Sequence, residues 1–160
     1  MAGKSTAFAL IGDRYHNSDY IRTALGKTLG RELGLTIDFS DEVTLLNADT
    51  LQGYKLLILF RDAMQWPNGY DATQPAGVIS VPPLPDVERV VVNWMTPEQG
   101  QAVQEFVMGG GSALLYHNVT YIAAVNPAFR DVLGAATEGH PRCAPLRCRS
   151  PIPTIPLHRG

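Results

Sequence analysis

Apolar residues along this chain fall into short unbroken runs set between stretches of helical periodicity. Residues 5–12, Tyr54–Phe60 and Ser112–Tyr116 are such runs, and Leu35, Ile37 and Phe39 alternate. Strands covered on both faces lose the in–out alternation, so the unbroken runs predict a parallel sheet. After the first run, Ile21, Leu25, Leu29 and Leu33 recur at every fourth position. That spacing predicts a helix from about Ser18, with Asn17 or Ser18 capping its first turn. Strand, helix, strand and strand make a βαβ start, which places the chain in the α/β class.

The second half is punctuated more sharply. Thr96, Pro97 and Gln99 carry a capping box with proline at the first helical position, ahead of Ala102, Val103, Phe106 and Val107. Gly109–Gly111 ends that helix, and Asn126-Pro127 opens a last one that buries Phe129, Val132 and Leu133. Residues 63–86 hold Pro67, Pro75, Pro82, Pro83 and Pro85 with Gly69 and Gly77, the chemistry of a long loop suited to a lid or binding wall. Val90–Val92 reads as a short strand or as the approach to the next helix. No internal repeat is present.

The chemistry-bearing residues cluster where the apolar runs stop. The first run leads into Asp13, Arg14, Tyr15 and His16, the third into Arg61 and Asp62, and the last into His117 and Asn118. In an open α/β sheet, ligands bind outside the carboxyl ends of the strands, so these residues share one candidate site. Each has a plainer reading: His117 as a core histidine bonded to backbone, His16 as a surface residue, Asp13 as a turn cap, Arg61 and Asp62 as a mutual ion pair. Neither serine nor cysteine stands at a strand end, and no nucleophile elbow is present, which argues against acyl transfer through a covalent intermediate. Gly109–Gly111 follows a helix and precedes a strand, the reverse of a phosphate loop, and reads as a helix stop.

Composition narrows the partners. The chain has 160 residues and 45% hydrophobic content, suiting one domain with one core. Residues 142–160 hold four arginines and no acid, leaving nine basic residues against fifteen acidic before them. That balance disfavours nucleic acid. The start has too few apolar residues for a signal peptide or membrane span, which predicts a cytoplasmic protein. Cys143 and Cys148 fall in the basic tail and say little about compartment or metal.

Tyr15-His16-Asn17, the Leu51–Phe60 run, Thr96–Val107 with the three glycines, the strand into His117, and Phe129–Gly134 through Gly139-His140-Pro141 together resemble the ThuA-like, trehalose-utilisation family of bacteria. The likeness covers residues 1–141. It implies a flavodoxin-like three-layer sandwich of the class I glutamine amidotransferase-like kind, with His117 standing where amidotransferases carry their cysteine. It further implies carbohydrate metabolism and, if the chain is an enzyme, a sugar-modifying hydrolase or isomerase rather than a glutaminase.

The expected roles follow: His117 and His16 as acid/base groups, or as ligands of a divalent metal such as zinc, with Asp13, Arg14, Tyr15, Arg61, Asp62, Trp66 and Asn118 contacting substrate. The alternative is a non-catalytic carbohydrate-binding module presenting Tyr15, Trp66 and Tyr70. Homo-oligomerisation is left open. The Pro- and Arg-rich tail, 142–160, has no helical or strand period, and a one-base change of frame in a GC-rich back-translation converts it into a strand-and-turn sequence. The tail reads either as a frameshift product, leaving the domain incomplete at its C-terminal end and the chain inactive, or as a solvated Pro-rich terminus with little effect on the fold.

Overall fold

The computed structural model describes residues 5–65, 67 and 90–137. Its centre is a four-stranded, fully parallel sheet of β1 (Ala7–Ile11), β2 (Ile37–Ser40), β3 (Leu56–Phe60) and β6 (Ser112–Leu115), in the order β2-β1-β3-β6. Two short strands, β4 (Met64–Gln65) and β5 (Val92–Asn93), form a separate antiparallel ribbon. The ribbon shows that the segment after β3 begins as a strand, and it settles the Val90–Val92 alternative in favour of a strand at Val92–Asn93. Residues 66 and 68–86 of the expected long loop, and residues 142–160, lie outside the described residues.

The helices are α1 (Ser18–Leu25), α2 (Ala48–Leu51), α3 (Pro97–Met108), α4 (Thr120–Val125) and α5 (Pro127–Leu133). One face of the sheet, with Phe8, Leu10, Leu57 and Leu59, packs against Leu51, Val103, Ile122 and Phe129 from the other four helices. The opposite face, with Ala7, Ala9, Ile11 and Ile58, packs against Ile21 and Leu25 of α1. Every residue of β1 is buried, as an unbroken apolar run between two helical layers requires. This is a flavodoxin-like three-layer arrangement.

Local signals explain most boundaries. Asn17 caps α1, its side chain accepting from the Asp19 and Tyr20 amides. Thr96 and Gln99 form the expected reciprocal capping box of α3. Asn126 caps α5, and Gly134 ends it in the left-handed region at φ 74°.

The stretch after α1 departs from the expectation, because Gly26–Glu32 winds as a π-helix. Apolar residues spaced by four drift around an α-helix of 3.6 residues per turn, and the wider winding keeps Leu29 on the sheet-facing side. Leu33, expected on that face, is 67% exposed, and Leu35 precedes β2 instead of joining it. Helices α2 and α4 are too short to show a period of their own.

Candidate functional site

The chain order of the sheet reverses between β1 and β3, since β2 lies on one side of β1 and β6 beyond β3. At such a switch point the loops leaving neighbouring strands turn opposite ways and open a crevice at the carboxyl edge. Into it run the turns after β1, β3 and β6.

Gly12, at φ 83°, starts the first turn, and a Cβ there would overlap the Ser18 hydroxyl. Its amide still donates to the Phe60 carbonyl at 3.1 Å, extending the ladder past β1. Asp13 then folds the chain back: Oδ1 accepts from the Tyr15 and His16 amides at 2.7 and 2.9 Å. The side chain is 1% exposed and ties three strand ends together. Oδ2 accepts from the Asp62 amide after β3 at 2.7 Å and from Asn118 Nδ2 after β6 at 3.2 Å. Burial pushes the Asp13 carboxyl up, but hydrogen bonds from Tyr15, Asp62, His16 and Asn118 outweigh it and hold the pKa below the usual carboxylate value.

His16 Nδ1 lies 2.9 Å from both Asp13 oxygens. A carboxylate only accepts, so Nδ1 carries the hydrogen and Nε2 is left with the lone pair in the neutral ring. The Asn118 Nδ2 approach to Nδ1 at 3.2 Å is therefore a close contact between two donors. His117 stands opposite, its ring centroid 5.3 Å from that of His16, and Phe60 packs 5.3 Å from His16. His117 has φ 47°, and among the described residues no other non-glycine has positive φ. A left-handed residue between a strand and a helix is the backbone device that projects one side chain from a sheet edge.

Asp62 is buried, and its Oδ1 accepts from the Met64 amide at 3.0 Å. Arg61 is 5% exposed and makes no ion pair with Asp62. Its Nη1 donates to the Asp41 carbonyl at 2.7 Å, and its guanidinium lies 5.2 Å from the Trp94 ring centroid. Burial lowers the Arg61 pKa, against the pull of Asp13, Asp41, Glu42 and Asp62. Trp94 in turn donates from Nε1 to the Asp62 carbonyl at 2.6 Å.

A cavity of about 530 Å³ opens on this constellation, lined by Tyr15, His16, Asp62, Met64, His117 and Asn118, with Thr120, Tyr121 and Thr137 completing it. Beyond Met64 a second cavity, about 490 Å³, includes Asp13, Arg14 and Arg61 in its lining. A larger cavity, about 760 Å³, lies at the opposite edge around Lys55 and Ser112, far from the histidines. We place the site at the carboxyl edge, because ionisable and imidazole groups converge there.

Of the residues singled out in the sequence, Tyr15, His16, Asp62, His117 and Asn118 line one cavity, and Arg14 and Arg61 line its neighbour. Asp13 is the buried anchor behind His16. Trp66 and Tyr70 lie outside the described residues. Thr120, Tyr121, Thr137 and Trp94 were not legible as site residues; only the adjacency of Thr120 and Tyr121 to the His117 turn hinted at them. Among the described residues no group of three or more His, Cys, Asp or Glu side chains is arranged to hold a metal ion. His16 and His117 therefore supply two imidazoles without a complete ligand set. Also among the described residues, no helix is long and apolar enough to cross a membrane.

No family model matches the chain, and no curated protein matches it. Among solved structures it is similar to one from Bacteroides uniformis ATCC 8492 that carries the designation ThuA-like, with a TM-score of 0.49 and 16% identity. The similarity covers 80% of this chain and 42% of that one, so the chain spans less than half that protein's length.

Proposed function

We propose that this chain is an enzyme of acid/base chemistry acting on a small hydroxylated molecule, a sugar or sugar derivative, without a cysteine nucleophile. The observation that carries the reading is the Asp13–His16 pair, whose buried carboxylate fixes the imidazole tautomer at the wall of a ligand-sized cavity. A base must reach its proton and be oriented by a third group, and Asp13 supplies that orientation from below. When His16 Nε2 takes a proton from a hydroxyl or a carbon next to a carbonyl, the Asp13 carboxylate stabilises the imidazolium. His117 packs edge-on against His16 in the wall of the same cavity, where it serves as the partner acid beside that base. The resemblance of the sequence to the trehalose-utilisation family supports a sugar as the substrate class. A zinc-like ion held by the two histidines is the less favoured variant, for want of a third described ligand.

The test is incubation with a panel of aldoses and ketoses in deuterium oxide, followed by proton NMR for turnover or exchange at the carbon beside the carbonyl. Wild type is expected to exchange or convert at least one sugar, and His16→Ala to lose that activity by about 10²- to 10⁴-fold. Activity that survives removal of both histidines would overturn the assignment. Tyr15, more than half exposed at the cavity, favours a second reading as a binding module, which predicts sugar binding without turnover that persists when both histidines are removed.

A further inference from the structure

The charge and hydrogen-bonding character of the histidine cavity limit what can enter it. Among its described lining residues none is lysine or arginine, and the formal charge in the wall is the Asp62 carboxylate. The Asp13 carboxylate lies directly behind His16, joined to Asp62 by the amide of Asn118, which reaches Asp13 Oδ2 at 3.2 Å and Asp62 Oδ2 at 3.5 Å. Asp41 and Glu42 follow β2 on the same edge and act on Arg61 together with Asp13 and Asp62. Arg61 is drawn away from the cavity, donating to the Asp41 carbonyl and stacking on Trp94.

A separate observation points the same way. Asn118 is 5% exposed, and its carboxamide oxygen has no hydrogen-bond partner. Turning the amide round would set its oxygen against the Asp13 and Asp62 carboxylates at 3.2 and 3.5 Å, and the one donor within reach there, His16 Nδ1–H at 3.2 Å, is already held by Asp13. A buried acceptor without a donor is costly and is commonly completed by a ligand or water. The unsatisfied atom of this lining residue is thus a buried acceptor, set beside a carboxylate.

We infer that the cavity selects a ligand rich in hydrogen-bond donors and free of negative charge, an ammonium-bearing polyol of the amino-sugar class, and that Asp62 sets this selection by rejecting phosphorylated and carboxylated sugars. The inference rests on the same cavity as the proposed function and narrows its substrate class. Burial of Asp62 beside Asn118 makes its charge effective, since a low-dielectric wall focuses the field into the crevice.

Two nitroxides of similar size and opposite charge, amino-TEMPO and carboxy-TEMPO, measure that field directly through the broadening of the His16 and His117 ring-proton resonances, assigned with His16→Gln and His117→Gln. The cationic probe is expected to broaden them about fivefold more than the anionic one at low salt, the ratio falling toward one as salt is raised. Asp62→Asn, which retains an oxygen for the Met64 amide, should bring the ratio toward one with the circular dichroism spectrum unchanged. Glucosamine should compete with amino-TEMPO, and gluconate should not. A wild-type ratio of one or less, a ratio that Asp62→Asn leaves unchanged, no competition by glucosamine, or competition by gluconate would each overturn the inference. The charge ratio is read without turnover, so failure of the deuterium-exchange experiment leaves it standing, and its own failure leaves acid/base catalysis untouched.

Discussion

At the scale of single residues, the site is a set of conflicts resolved by contact. Asp13 is a carboxylate in a buried place, kept charged because four residues donate to it. His117 holds a left-handed backbone that costs a non-glycine residue about 1–2 kcal/mol, and such strain persists where the surroundings over-determine it. Glycine carries no such penalty, so the two truncations of His117 should differ. His117→Gly should be more stable than His117→Ala by about 1 kcal/mol in urea denaturation, and both should lose the exchange activity. Equal stability of the two variants would show that the turn is not strained. Position along the chain was enough to nominate Asp13, His16 and His117, because each follows directly on an apolar run. It was not enough to show that Asn118 bonds two carboxylates, or that Arg61 turns to Trp94 instead of Asp62. Those contacts join residues far apart in sequence, and no local pattern encodes them.

Elements are legible in proportion to the strength of their end signals. α3 was readable to the residue because its capping box, its proline and its glycines are all local. The π-helical continuation of α1 was not, since a spacing of four satisfies an α-helix nearly as well until packing selects the wider winding. Gly100 shows how packing can oppose propensity. It lies inside α3, where alanine is favoured by about 1 kcal/mol, yet a Cβ there would stand 2.5 Å from the Asn126 carboxamide carbon. Asn126 is buried, donates to the Thr96 carbonyl at 2.9 Å and caps α5, so it has nowhere to move without releasing two helix starts. Gly100→Ala is therefore expected to destabilise the protein by about 1–3 kcal/mol despite its better helix propensity. The Gly100→Ala, Asn126→Ala double variant should cost less than the sum of the singles. Additive losses in urea titrations would mean that the two positions do not meet.

For the whole molecule, the class of fold followed from unbroken apolar runs, but the strand order did not, because pairing partners are chosen by packing across the sheet. That order, β2-β1-β3-β6, gives Asp13 its reach. One carboxylate at the end of β1 accepts from the turn after β3 and from the turn after β6, so its ionisation acts on the sheet as a unit. The sign of the pH dependence follows. The folded-state pKa of Asp13 is depressed, so native Asp13 gives up its proton more readily than unfolded Asp13 does. Its stabilisation is complete above the unfolded value, near pH 4, and is lost as pH falls through the lower folded value. Wild type should therefore lose stability in acid more steeply than Asp13→Asn, which starts less stable at neutral pH and has no charge at that position to lose. Urea midpoints for both proteins between about pH 7 and pH 3 check this, and the two curves should converge toward acid. Parallel curves would place the acid sensitivity in other carboxylates and would remove Asp13 as the tie between the three strand ends.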